Sequence, residues 1–181
     1  MYSLYMTENL QLRVLSESDA KMVADFYNRN YDDFKKYEPF SGKNVTTVSF
    51  ERRLLEAEIE QLKAGQQVRF HVFEKNDPFT VIGTVSLREI KRSCYGSAVL
   101  GYKMDQNYRN KGYATEAIKR SIEIVANECE LHRIEATVLP DNNASIRVLE
   151  KLGFEREGLL REKIFLEGEW KDHYLYGKIL D

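Results

Sequence analysis

The chain has 181 residues, of which 43% are hydrophobic and 31% charged, and its formal net charge is −2. This length predicts a single domain over residues 1–181, with a core at about residues 10–178. The small negative charge excludes strong attraction to nucleic acid, and no apolar run reaches membrane-spanning length. Cys94, Cys129 and the scattered histidines have no metal-ligand spacing, so no metal is expected. No signal peptide accompanies the two cysteines, which favours a reducing cytoplasm.

The first part of the chain predicts one strand and then two helices. Hydrophobic and polar residues alternate over residues 10–14, which indicates a half-buried strand, and residues 1–8 could pair beside it as an edge strand. Residues 16–19 resemble a helix start. A second helix is predicted from Thr47, which can cap it, to Gly65, which can end it.

The rest of the chain predicts a sheet interrupted by helices. The predicted elements are strands at 68–72, 81–90 and 97–104, a helix at 113–128, a strand at 134–138, a helix at 144–152 and a hairpin that turns at 167–169. The first three strands form an antiparallel meander in this interpretation. The later strand–helix–strand crossover implies local parallel pairing, so the fold class is α+β with a mixed sheet.

The loop between the predicted strand 97–104 and the predicted helix 113–128 could bind an anion. Gly112 permits close approach of the backbone, and Arg109 and Lys111 add positive charge. The first turn of the helix offers N–H groups without intrahelical partners at the positive end of its dipole. The alternative is an ordinary surface turn with solvated cations. Walker and dinucleotide loops are excluded, because lysine precedes the only glycine.

Two motifs on these elements resemble the GNAT superfamily of N-acetyltransferases. Residues 109–114 fit the family's acetyl-CoA signature, Gln/Arg-x-x-Gly-x-Gly/Ala, and residues 142–145 with 150–154 match a second family segment. The resemblance extends from about Leu10 to the end of the chain. The sequence at 100–102, 131–136 and 157–173 is similar to the subfamily that acetylates N-terminal alanine or serine of ribosomal proteins.

This resemblance implies a GNAT-like fold, in which helices flank a central, mostly antiparallel sheet. The sheet would be splayed between the strand before and the strand after the coenzyme-binding helix. The implied coenzyme is acetyl-CoA. The residues that the resemblance assigns to its binding are Tyr102, Met104, Arg109, Asn110, Lys111, Gly112, Tyr113, Ala114, Thr115, Asn142 and Ser145.

Relatives often carry a glutamate where this chain has Val99, so the family's base is not carried over. An α-amino group titrates near ~8 and is about one-tenth neutral at pH 7, so a weak or water-relayed base suffices for it. The candidate bases are Glu89, Asp172 and His173. The alternative for Glu89 is a solvated strand face, and for residues 172–173 it is a hydrogen-bonded pair in the last hairpin.

The leaving thiolate also needs stabilisation, and Leu149 stands where many members place a tyrosine acid. Ser145 could donate a hydrogen bond to the coenzyme sulfur, or it could merely help to cap its helix. Asn142 could contact the pantetheine arm or only stabilise the turn. A further departure is Tyr-Glu-Pro-Phe at residues 37–40, where many members have Pro-Trp-x-Pro.

The leading interpretation is direct acetyl transfer in a ternary complex to a primary amine, above all the N-terminal α-amine of a protein such as a ribosomal protein. A polyamine or aminoglycoside acceptor would need an acidic pocket, which Glu38, Glu162 and Glu169 could supply. A third interpretation is an acyl-CoA-binding module without turnover, suggested by Val99 and Leu149. The oligomeric state is left open, with a homodimer among the options.

Overall fold

A central sheet and four helices make up the part of the chain that the computed structural model describes, residues 3–39 and 46–180. The elements are β1 (Leu4–Met6), β2 (Leu10–Arg13), α1 (Ala20–Phe34), α2 (Val48–Lys63), β3 (Val68–Glu74), β4 (Gly83–Lys91), β5 (Ser97–Met104), α3 (Tyr113–Cys129), β6 (Arg133–Val138), α4 (Asn143–Lys151), β7 (Glu155–Leu166) and β8 (Glu169–Ile179). The predicted order of strands and helices is confirmed. Phe40, the last residue of the Tyr-Glu-Pro-Phe segment, lies outside the described residues.

The strands are arranged in the order β1-β2-β3-β4-β5-β6-β8-β7. β1 pairs with β2 at the edge, and β3, β4 and β5 form the predicted antiparallel meander. Only β5 and β6 are parallel among the described pairs, because α3 crosses over between them. The predicted α+β fold with a mixed, mostly antiparallel sheet is therefore confirmed.

The sheet splays apart between β5 and β6. The two strands are paired only where Ser97–Val99 meets Arg133–Glu135, whereas β5 continues to Met104 and β6 to Val138. The N–H of Asp105 donates to the carbonyl of Ile82 at 2.8 Å, which directs the main chain of that residue toward β4. Main-chain N–H and C=O groups point to alternate sides along a strand, so those of Tyr102 and Met104 point toward the splay.

The two faces of the sheet carry different side chains because the strand period is two residues. On one face, Phe70, Val85 and Leu87 are buried in the core that also contains Ile118 and Ile122 of α3. Burying each such side chain contributes about 1.5–3 kcal/mol. On the other face, α1 and α2 pack around a smaller core that contains Phe73, Val81 and Leu55.

The centre of the face toward α1 and α2 is polar. The strand register aligns Arg69 with Ser86 and Gly101, and His71 with Thr84 and Lys103. These positions interrupt the apolar packing beside the splay. We call the side of the sheet toward α1 and α2 the acceptor face, and the side toward α3 and α4 the helix face.

Two predicted boundaries were wrong. β4 begins at Gly83 rather than at residue 81, although the N–H of Ile82 still bonds to Val72. β7 begins at Glu155, far upstream of the predicted hairpin strand. Register shifts at 156–158 and 160–164 break its alternation, so its pattern did not indicate a long strand.

Candidate active site

The N-terminus of α3 lies beside the splay. Gly112 is its N-cap residue, with a left-handed φ of 82°. The first intrahelical bond runs from the N–H of Glu116 to the carbonyl of Gly112 at 3.0 Å. The N–H groups of Tyr113, Ala114 and Thr115 therefore have no acceptor within the helix and, with the helix dipole, favour an anion.

Asp105, which is fully buried, holds the loop before α3 in place. Its carboxylate accepts hydrogen bonds from Nδ2 of Asn30 at 3.0 Å, from Nε of Arg29 at 3.2 Å and from the N–H of Asn107 at 3.0 Å. These bonds fix the loop to α1. The sequence analysis missed Asp105, because its partners on α1 lie far away along the chain.

A groove of about 810 Å³ runs along the splay between the head of α3 and the start of α4. Ten of the eleven residues expected to bind the coenzyme line this groove, and Lys111 does not. Residues of the acceptor face, among them Ser86, Arg88 and Lys103, line it as well. The groove thus joins the two faces of the sheet.

The two loop cations are already engaged by the protein. The guanidinium of Arg109 pairs with Asp33 of α1 and donates to the carbonyl of Met104 at 3.1 Å. The ammonium of Lys111 lies 4.0 Å from the carboxylate of Glu74 and 4.9 Å from the centre of the Tyr108 ring. An anion at the helix would thus rely on main-chain N–H groups more than on these cations.

The start of α4 faces the head of α3 across the splay. Oδ1 of Asn142 accepts from the N–H of Ser145 at 3.1 Å, so Asn142 caps the helix. The hydroxyl of Tyr102 donates to the carbonyl of Ser145 at 3.3 Å and bridges β5 to α4. Burial raises the pKa of Tyr102 to about 12, which keeps this hydroxyl protonated at neutral pH.

The three candidate bases occupy different environments. Glu89 is exposed at an irregularity of β4, with φ 52°, and does not line the groove. The carboxylate of Asp172 accepts from the N–H of Glu162 at 2.8 Å, which ties it to β7, and it does not line the groove either. His173 is buried and does line the groove.

Two cations on the acceptor face, Lys103 and Arg69, are paired with carboxylates. The ammonium of Lys103 lies 2.7 Å from the carboxylate of Glu38 and donates to the hydroxyl of Tyr27 at 2.8 Å. Although burial opposes the charged form, Tyr27 and Glu38 together raise the pKa of Lys103. Arg69 pairs with Glu58 at 2.5 Å. Arg88 lines this side of the groove as well and has no ion pair among the described residues, and the acceptor side presents no unpaired carboxylate.

The described residues contain no group of three His, Cys, Asp or Glu side chains that could hold a metal ion. None of the helices described is both long and apolar enough to cross a membrane. Fold and groove together define a class of protein: a splayed α+β sheet with main-chain N–H groups free of intrahelical partners at a helix head, and a groove that reaches the opposite face.

The comparisons with known proteins name the family. The model of the acetyltransferase (GNAT) domain matches residues 9–155. The probable N-acetyltransferase YjcK of Bacillus subtilis (strain 168) is 34% identical over 166 residues, which cover 92% of this chain and 91% of YjcK. The chain belongs to the GNAT acetyltransferase family, and the resemblance found from its two motifs is confirmed.

Solved structures agree in fold. The crystal structure of ribosomal-protein-S5-alanine acetyltransferase from Vibrio fischeri has a TM-score of 0.92 and 32% identity, and the match covers 98% of this chain and 97% of that one. Mycobacterium smegmatis RimJ in complex with CoA-disulfide has a TM-score of 0.88 and 25% identity, covering 94% and 81%.

Proposed function

We propose that this chain transfers an acetyl group from acetyl-CoA directly to the N-terminal α-amine of a protein, with a ribosomal protein as the model acceptor. The observation that carries the proposal is the groove, which joins the head of α3 to the acceptor face through the splayed sheet. The similar proteins from V. fischeri and M. smegmatis support the substrate class and the coenzyme. The free thiols of Cys94 and Cys129 suit a cytoplasmic enzyme.

The residues present fit the coenzyme. Its pyrophosphate would lie on the N–H groups at residues 113–115, with Gly112 leaving room for close approach. The pantetheine arm would pass the splay, where the main chain of Tyr102 and Met104 could pair with its amides and polarise the thioester carbonyl. The Ser145 hydroxyl, in the first turn of α4, would hydrogen-bond the leaving thiolate.

An α-amine acceptor does not require unpaired carboxylates on the acceptor side. A polyamine or aminoglycoside carries several positive charges and would need unpaired carboxylates. Glu38 is neutralised by Lys103, Glu169 pairs with Lys171 at 2.5 Å, and Glu162 is exposed on β7. No acidic pocket results among the described residues, so these acceptors are disfavoured.

The experiment measures coenzyme A release from acetyl-CoA with three acceptors: an Ala-initiated peptide, spermidine and an aminoglycoside. We expect rapid release with the peptide only, and none when its α-amine is blocked by acetylation. Gly112→Ala should weaken coenzyme binding about tenfold or more in calorimetry, because the new methyl group and the strained backbone disturb the N–H groups at the head of α3.

Gly168→Ala is the matched control. Gly168 has φ 88° in the β7–β8 turn, and at either glycine a Cβ would meet no described heavy atom within 4 Å. Both substitutions therefore carry the same left-handed strain of about 1–2 kcal/mol, but only one lies at the groove. Equal affinities for the two variants would contradict the coenzyme site. Binding without thiol release on any amine would favour the non-catalytic module.

A further inference from the structure

His173 lies on the acceptor face at the end of the splay. The last β6–β8 pair joins Val138 to Tyr174, and His173 is the residue just before Tyr174 in β8. His173 itself pairs with Leu160 of β7. Strand alternation places it on the same face as Leu175 and Thr137. Only 2% of the residue is exposed, yet it lines the groove.

The hydrogen bond at Nδ1 determines which tautomer the neutral imidazole ring adopts. Nδ1 lies 3.1 Å from the carbonyl oxygen of Lys171. A carbonyl oxygen can only accept, so Nδ1 carries the proton of the neutral imidazole. Nε2 is then left with its lone pair as an acceptor. This tautomer is inferred from the bond, and it is the one that a proton acceptor requires.

The coenzyme and the amine would reach the splay from opposite faces of the sheet. Tyr102 and Ser145 meet on the helix face, where the coenzyme would lie, whereas the amine would enter from the acceptor face. A group that removes the amine's proton must stand on the amine's side. Among the three sequence candidates, only His173 lines the groove.

The charged groups near His173 leave Nε2 without a competing partner in the described chain. On β8 the ammonium of Lys171 pairs with Glu169. On β7 the residue that pairs with His173, Leu160, is uncharged, and the N–H of Glu162 in the adjoining irregularity donates to the carboxylate of Asp172. The charged side chains that line the acceptor side of the groove, all from α1 to β5, are Glu38, Arg69, Arg88 and Lys103.

Resting on the proposed function, we propose that His173 is the general base of this enzyme. Its Nε2 takes one proton from the acceptor ammonium, and the freed nitrogen lone pair forms the N–C bond with the acetyl carbon. The tetrahedral intermediate collapses as the C–S bond breaks, and the bonding pair leaves with sulfur. The thiolate then takes the second proton from the nitrogen, which gives the amide, coenzyme A and an imidazolium ring.

His173→Asn tests this assignment, because an asparagine amide can keep the donor to the Lys171 carbonyl but cannot accept the proton. We expect kcat/KM for the Ala-initiated peptide to fall about tenfold at pH 7, because about one-tenth of the α-amine is already neutral there and can still react without the base. The loss should shrink below about twofold with an acceptor amine of lower pKa, and as the pH rises. Coenzyme affinity should stay unchanged.

His132→Asn is the control, because His132 is exposed outside the groove. An equal loss at every pH and for both amines would show a structural role and overturn the assignment, as would unchanged kcat/KM. His173→Gln repeats the test if the asparagine variant does not fold. A wild-type enzyme that is inactive on every amine would instead contradict the proposed function. Failure of the His173 assignment and failure of the proposed function are therefore distinguishable.

Discussion

At the scale of single residues, Glu51 is a buried acid that the reaction does not use. It is 1% exposed on α2, and neither carboxylate oxygen has a hydrogen-bond partner among the described residues. Burial raises its pKa from 4.5 to about 7, with a further rise from Glu58, while Arg69 and Lys103 lower it. The fold therefore favours the protonated carboxyl.

This shift predicts how stability depends on pH. Because the folded-state pKa is above the ordinary value, Glu51 contributes most to stability below pH 4.5, and the contribution is lost as the pH rises through about 7. Glu51→Gln should therefore raise the free energy of unfolding at pH 8 by up to about 3 kcal/mol, and change it little at pH 4.5. Urea unfolding at both pH values measures this. Glu56 is exposed on the same helix, so Glu56→Gln should leave the free energy of unfolding nearly unchanged at both pH values.

At the scale of elements, the N-cap of α4 links stability to the site. Asn142→Ala removes the bond to the N–H of Ser145 and should cost about 1 kcal/mol of unfolding free energy. It should also loosen the turn that carries the Ser145 hydroxyl and lower kcat several-fold. Thr47→Ala removes the comparable bond to the N–H of Phe50 at the head of α2. A similar loss of kcat in both variants would contradict the role given to α4.

The elements also show how far sequence reasoning reaches. The hydrophobic periods of α3 and of the β3–β5 meander were readable because local burial sets them. The boundary of β7 was not readable, because its bulges break the period. The partners of the site lie far away in sequence: Asp33 engages Arg109, and Asp105 is held by Arg29 and Asn30. No local pattern could predict them.

At the scale of the whole molecule, the proposed reaction would bring the two substrates to the splay from opposite faces of the sheet. The groove is lined by Tyr102, Gly112 and Ser145 on one side and by Ser86 and Lys103 on the other. The two substrates could therefore be bound together, and neither would need to leave before the other entered. This geometry supports the proposed direct transfer across the splay.

The positions of the two cysteines also support direct transfer without an acetylated enzyme. Burial raises the pKa of Cys129, whose side chain belongs to the core, so its thiolate is disfavoured. Cys94 is exposed in the turn between β4 and β5, and no cysteine is among the described residues that line the groove. The described lining of the groove therefore contains no thiol that could carry the acetyl group as an intermediate.

Initial velocities measured against both substrates should accordingly give intersecting lines, as a ternary complex requires. The enzyme mixed with acetyl-CoA alone should show no added acetyl mass, and a double Cys94→Ala, Cys129→Ala variant should keep its kcat within about twofold. Parallel lines, or an acetylated enzyme that transfers its group on addition of the Ala-initiated peptide, would contradict direct transfer. Either result would mean that the two substrates need not meet at the splay, because an enzyme that carries the acetyl group covalently needs only one substrate in the groove at a time.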